Sequence, residues 1–158
     1  MAPLDRLAAG HRRCQHWAGR LQASATPATT DEAAALRACL DDAAPRQQAV
    51  EAGWLFPALI EAMAGSDAVC LRQLTQALRA DQQRLQALWQ PLRPRLVPAS
   101  GAAGRPLTAA ETADLQAFAT LQAAHSQRML AELLPMAGRL LDDAALARLD
   151  QALQDRRL

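Results

Sequence analysis

Three residues with the right chemistry to act together stand far apart in the chain: His11, Glu51 and His125. Two imidazoles and a carboxylate are donors that can hold a single Fe(II), Mn(II) or Zn(II) ion with open coordination positions. Without a metal the same groups can close into a polar knot, in which the carboxylate raises the pKa values of both imidazoles. Glutamines gather around them in the sequence, at Gln47, Gln48, Gln82 and Gln122. Amides are weak metal donors but good hydrogen-bond partners, so they suit the second arrangement.

The elements that would position these groups read as helices. In the first, over roughly 4–23, Leu7, His11, Cys14, Ala18 and Leu21 fall at the 4-3-4-3 spacing of one buried face. The second begins at Thr30 or Asp31 as the cap and runs to about residue 64; Pro45 interrupts it, with a kink or short break expected near 42–45 and a new segment starting at Pro45. Its stretch PRQQAVEAGWLFP places Gln47 and Glu51 just before Trp54, Leu55 and Phe56, all three expected to be buried. The third starts after Ser66, carries a leucine stripe from Leu71 to Leu92 and ends near Pro91 to Pro98.

The segment VPASGAAGRP is expected to be a loop. The fourth helix opens with a capping box, Thr108 and Glu111, and its stripe runs Leu115, Phe118, Gln122, His125, Met129, Met136 and Leu140, bent late by Pro135. A short C-terminal helix, DDAALARLDQALQDRR, closes the chain. Each long stripe is interrupted by polar residues: His11, then Gln47 with Glu51, then Asp81 with Gln82, then Gln122 with His125. If the four helices form an up-down bundle, those interruptions share one level of its core.

At 158 residues the chain suits one domain spanning 1–158. Aromatic residues make up 3% while Ala and Leu abound, which argues for an all-α fold. Basic and acidic residues nearly cancel, 17 against 16, and are scattered, so nothing electrostatic points to nucleic acid. No run approaches the ~20 apolar residues of a membrane span, and the N-terminus lacks an apolar signal core. The three cysteines form no CxxC pair, which fits reduced thiols. A soluble, cytoplasmic protein is the expectation. Cys14 shares a face with His11 and reads as a small buried hydrophobe, and His16 falls on the outside of its helix. Neither a Ser-His-Asp arrangement nor a glycine-rich phosphate loop is present.

In pattern and order the chain resembles the hemerythrin-like domains, also called HHE cation-binding domains. AGHRRC places His11 where the family's first helix has a histidine. PRQQAVEAGWLFP aligns without a gap on a motif close to HHxxEExxLFP, LRADQ stands where the family reads LxxDH, and FATLQAAHSQRMLAELLP supplies His125 and Leu133-Leu134-Pro135 where the family reads FAxLYxxH ahead of LLP. The resemblance implies a four-helix up-down bundle with a kinked second helix and a short C-terminal helix. It also implies a di-iron site held by five histidines and two bridging carboxylates.

Carried over residue by residue, His11, Glu51 and His125 match ligand positions, while Gln47 or Gln48, Gln82 and Met129 stand where ligands are missing. Met129 replaces a bridging carboxylate, and a soft thioether does not substitute for a hard oxygen on iron. An intact di-iron centre is therefore not expected. The expected function is a non-enzymatic binding, sensing or interaction module with a degenerate metal site, whose protein partner the sequence does not specify. The alternative is a single metal ion, Fe, Mn or Zn, on His11, Glu51 and His125, linked to oxygen, nitric oxide or redox sensing. Enzymatic oxidase or peroxidase activity ranks last, because no spare acid or base accompanies those ligands.

Overall fold

The computed structural model describes residues 1–23, 29–63, 65–96 and 106–158, and all regular structure among them is helical. The first helix, α1, is Pro3–Ala23. Residues 30–62 form one uninterrupted helical stretch, α2, in which α-helical Thr30–Arg37, Ala44–Val50 and Phe56–Ala62 alternate with the π-helical turns Ala38–Ala43 and Glu51–Leu55. Helix α3 is Ser66–Leu96. Residues 109–140 form α4, with Ala109–Arg128 and Leu134–Leu140 joined by the π-helical turn Met129–Leu133. Helix α5 is Asp143–Asp155.

The helix starts follow their capping chemistry, with one correction. Thr29, not Thr30 or Asp31, caps α2, accepting from the Glu32 backbone N–H. Thr108 and Glu111 form the expected reciprocal box at the start of α4, and Asp142 caps α5. Between α2 and α3, Gly65 has φ +74°, a left-handed conformation that costs glycine nothing. The expected loop at 97–105 lies outside the described residues.

Near Pro45, where a kink or short break is expected, the helix does not break but widens into the π-helical turn Ala38–Ala43, and the same device recurs twice. Proline lacks an N–H and its ring presses on the carbonyl four residues back. Just before Pro45, Pro57 and Pro135, the N–H groups of Ala44, Phe56 and Leu134 reach five residues back, to the carbonyls of Cys39, Glu51 and Met129. Widening the turn makes room for each ring and keeps the helix continuous. Pro91 and Pro94 do not end α3, which continues to Leu96 because Trp89, Leu92 and Leu96 are all buried. Trp54, expected inside, is half exposed, while Leu55 and Phe56 are buried.

Side-chain contacts run in opposite directions along neighbouring helices. From α1 to α4, Gln15 meets Gln127 and Gln22 meets Thr120. From α1 to α2, His11 meets Glu51, Cys14 meets Cys39 and Arg20 meets Glu32. From α2 to α3, Glu51 meets Gln82 and Asp41 meets Arg93; from α3 to α4, Asp81 meets His125 and Arg95 meets Glu111. Each of these pairs is antiparallel. Helix α5 packs on α1 and α2, and Arg6 of α1 pairs with Asp150.

The core divides in two. One apolar cluster gathers Leu7, Leu55, Phe56, Leu78, Met129 and Leu133; the other gathers Cys14, Ala18, Cys39, Leu85, Trp89 and Phe118. On every long helix the polar residues singled out by the sequence lie between the two. No described helix is long and apolar enough to cross a membrane.

Candidate functional site

Glu51 sits at the centre of this polar layer and is wholly inaccessible to solvent. It opens the second π-helical turn of α2. Its Oε1 accepts from His11 Nε2 at 2.7 Å and from Gln47 Nε2 at 2.9 Å, and its Oε2 accepts from Gln82 Nε2 at 2.9 Å. Three donors from α1, α2 and α3 thus converge on one carboxylate. Burial pushes its pKa up, but the facing His11 imidazole and the hydrogen bonds from His11 and Gln47 outweigh that and hold it below the ordinary carboxylate value. Glu51 is therefore ionised, and three side-chain donors face its charge.

Gln47 reaches this position through a gap in α1. Its Nε2 also donates to the Leu7 carbonyl at 3.2 Å, and its Oε1 lies where a side chain on Gly10 would be, 1.8 Å from an ideal Cβ. Only glycine at that position lets the two helices share the amide. The sequence marks the position only weakly, since Gly19 and Gly53 also lie within helices and neither has a neighbour within 4 Å of an added Cβ. Gly10 stands next to His11 in AGHRRC.

His125 approaches from α4 with no solvent exposure and its ring centroid 5.7 Å from that of His11. Neither of its nitrogens has a hydrogen-bond partner among the described residues, and the same is true of His11 Nδ1. Asp81 Oδ2 lies 3.8 Å from His125 Nδ1, beyond hydrogen-bond reach, and pairs at 3.6 Å with Arg128. Burial, with lesser help from His11 and Arg128, lowers the His125 pKa to about 4 against the pull of Glu51 and Asp81. The imidazole is neutral at physiological pH. Gln122, one turn before it, donates to Ser126 Oγ at 3.1 Å.

Of the positions singled out from sequence, His11, Gln47, Glu51 and Gln82 are hydrogen-bonded together, and His125 lies against them without bonding. Gln48 turns away and is half-buried in the wall of a cavity, while Met129 is fully buried in the first apolar cluster. The cavity, about 520 Å³ between α2 and α3, is lined by Gln48, Gln82, Trp89, Phe118 and Gln122 among others. Gln82 and Gln122 belong to both cavity wall and polar layer, so a molecule in the cavity would lie one side chain from Glu51. Asp41 and Arg93 pair at its rim.

The donor set does not fit two irons. One buried carboxylate, already accepting three hydrogen bonds, is too little hard-oxygen charge for two irons, and the amides beside it are weak metal donors. The described residues hold no group of three or more His, Cys, Asp or Glu side chains placed to take a metal ion. Compared with family models, curated proteins and solved structures, the chain matches none. The hemerythrin-like reading thus rests on the motifs in the sequence.

Proposed function

We propose that this protein is a hemerythrin-like four-helix up-down bundle in which a hydrogen-bonded polar knot has replaced di-iron chemistry, and that it works as a non-enzymatic binding or sensing module. The antiparallel contacts along the four long helices support the bundle. The observation that carries the functional reading is the carboxylate of Glu51, buried and held by His11, Gln47 and Gln82. A carboxylate so satisfied needs no metal to offset its burial. The glutamine-lined cavity beside it offers a small polar molecule access to Gln82 and Gln122 without opening the apolar clusters.

One observation favours a second reading, a single Fe, Mn or Zn ion on His11, Glu51 and His125. Both nitrogens of His125 and Nδ1 of His11 are buried and unpaired, and each unpaired buried group costs about 1–3 kcal/mol. A side-chain rotation that freed Glu51 from Gln82 would give a metal a carboxylate oxygen close to two imidazoles.

Metal analysis by inductively coupled plasma mass spectrometry, on untagged protein expressed with added iron, manganese and zinc, separates the two. The knot predicts substoichiometric metal and a melting temperature indifferent to chelator. About one metal per chain with a chelator-sensitive melting temperature establishes the mononuclear site, since a ligand of the native state alone raises its stability. Two irons per chain would overturn both.

A further inference from the structure

The second apolar cluster contains a pair of thiols that the sequence keeps 25 residues apart. Cys14 on α1 and Cys39 on the first π-helical turn of α2 bring their Sγ atoms to 4.0 Å, and both side chains are buried. Helix α1 and that turn pack directly on one another. Closing a disulfide from 4.0 Å asks the sulfurs to approach by about 2 Å. The geometry points to a further site in this protein, a buried dithiol that hydrogen peroxide oxidises to a Cys14–Cys39 disulfide, tying α1 to α2 one helical turn from His11.

The two sulfurs are not equivalent. The hydrogen bond from the Cys14 thiol, with Arg13 adding a smaller pull, holds Cys39 below the usual thiol value even though burial pushes it up. That same bond and burial push Cys14 well above it. Within this proposal Cys39, also the slightly more exposed of the two, makes the first attack and Cys14 is the resolving thiol. The Cys39 thiolate attacks one peroxide oxygen, the O–O bond breaks, and the other oxygen leaves as hydroxide, which takes a proton to become water. Cys39 is then a sulfenic acid. Cys14 gives up its proton and its sulfur attacks Cys39 Sγ; the S–S bond forms, the S–O bond breaks, and the hydroxyl leaves with that proton as a second water. Two thiols are oxidised by two electrons and one peroxide is reduced to two waters.

The fold explains why the pair escapes a search for CxxC spacing. Cys14 and Cys39 come together because α1 and α2 are antiparallel, as Arg20 with Glu32 beyond the pair and His11 with Glu51 before it also show. The third cysteine, Cys70, is exposed on α3 and serves as an internal control.

The test is hydrogen peroxide titration of the full chain, followed by denaturation, alkylation and non-reducing peptide mapping. The expected result is a fall from three alkylatable thiols to one, a cross-linked peptide joining Cys14 to Cys39, and full return with dithiothreitol. In Cys14→Ser the expected product is a sulfenic acid at Cys39 that dimedone traps. Thiols at Cys14 and Cys39 that stay alkylatable at peroxide doses oxidising Cys70 would overturn the proposal. So would irreversible oxidation of Cys39 with no cross-link in the unmutated chain, a reading that needs no variant to fold.

Discussion

His125 places a neutral imidazole where neither nitrogen finds a partner among the described residues, and this fixes how the protein responds to acid. Its ordinary pKa is 6.5 and burial lowers it to about 4 in the fold. Between those values the unfolded chain takes up a proton that the folded one refuses, so stability rises with pH across that window and falls as pH drops through it. The full difference corresponds to roughly 3 kcal/mol. Glu51 loses stability on acidification too, because its folded pKa is also depressed, but only below the ordinary carboxylate range. Urea unfolding at pH 7, 6 and 5 should therefore show a declining midpoint in the unmutated protein and a clearly shallower decline in His125→Leu. Parallel curves for the two proteins would mean that His125 is charged, or paired, in the folded state.

At the scale of elements, the contact between α1 and α2 turns on a glycine and a glutamine. A methyl group at Gly10 would strike Gln47 Oε1, the far end of a flexible side chain. The clash can be relieved by swinging Gln47 out, at the cost of its bonds to Leu7 and Glu51. Gly10→Ala gains about 1 kcal/mol of helix propensity and forfeits about 1–3 kcal/mol of buried hydrogen bonding. It should be neutral to destabilising alone, and the loss from Gln47→Ala should not add to it, because the double variant has nothing left to clash. A coupling of about 0.5–3 kcal/mol in a double-mutant cycle is expected; strict additivity would place Gln47 elsewhere.

The stripes were legible because a helix repeats every 3.6 residues and buried positions reveal that period. Leu7, His11, Cys14, Ala18 and Leu21 are all buried as read. The π-helical turns were not legible, because each inserts one residue into the period without changing its local look. Past Met129 the stripe read as Met136 and Leu140, whereas Ala137 and Leu141 are the more deeply buried pair, one position later on each count. The polar members of the site showed up as interruptions in the stripes. Their partners did not, because Gly10 with Gln47 and Cys14 with Cys39 meet only once two helices are laid antiparallel.

For the molecule as a whole, the polar layer separates two apolar clusters that would otherwise be one core. Burying Glu51, His11 and His125 costs desolvation that their mutual contacts only partly return, and replacing a buried ion pair with apolar side chains of similar size is often neutral or stabilising by about 1–4 kcal/mol. Removing a single partner is different. Glu51→Ala leaves His11 and Gln82 with donors and no acceptor and Gln47 with the Leu7 carbonyl alone, and should cost about 3–5 kcal/mol. The combined variant His11→Leu, Glu51→Met, Gln82→Leu, His125→Leu leaves only Gln47 of those donors, still bonded to the Leu7 carbonyl, and lets the clusters merge. Its melting temperature should equal or exceed that of the unmutated chain, at about 2–4 °C per kcal/mol for a chain of this size. If it melts lower, the layer is a net stabiliser and the bundle needs no ligand to account for it. If it melts higher, this chain carries a polar layer that its fold alone does not require, which is the stability trade expected of a site that binds or senses.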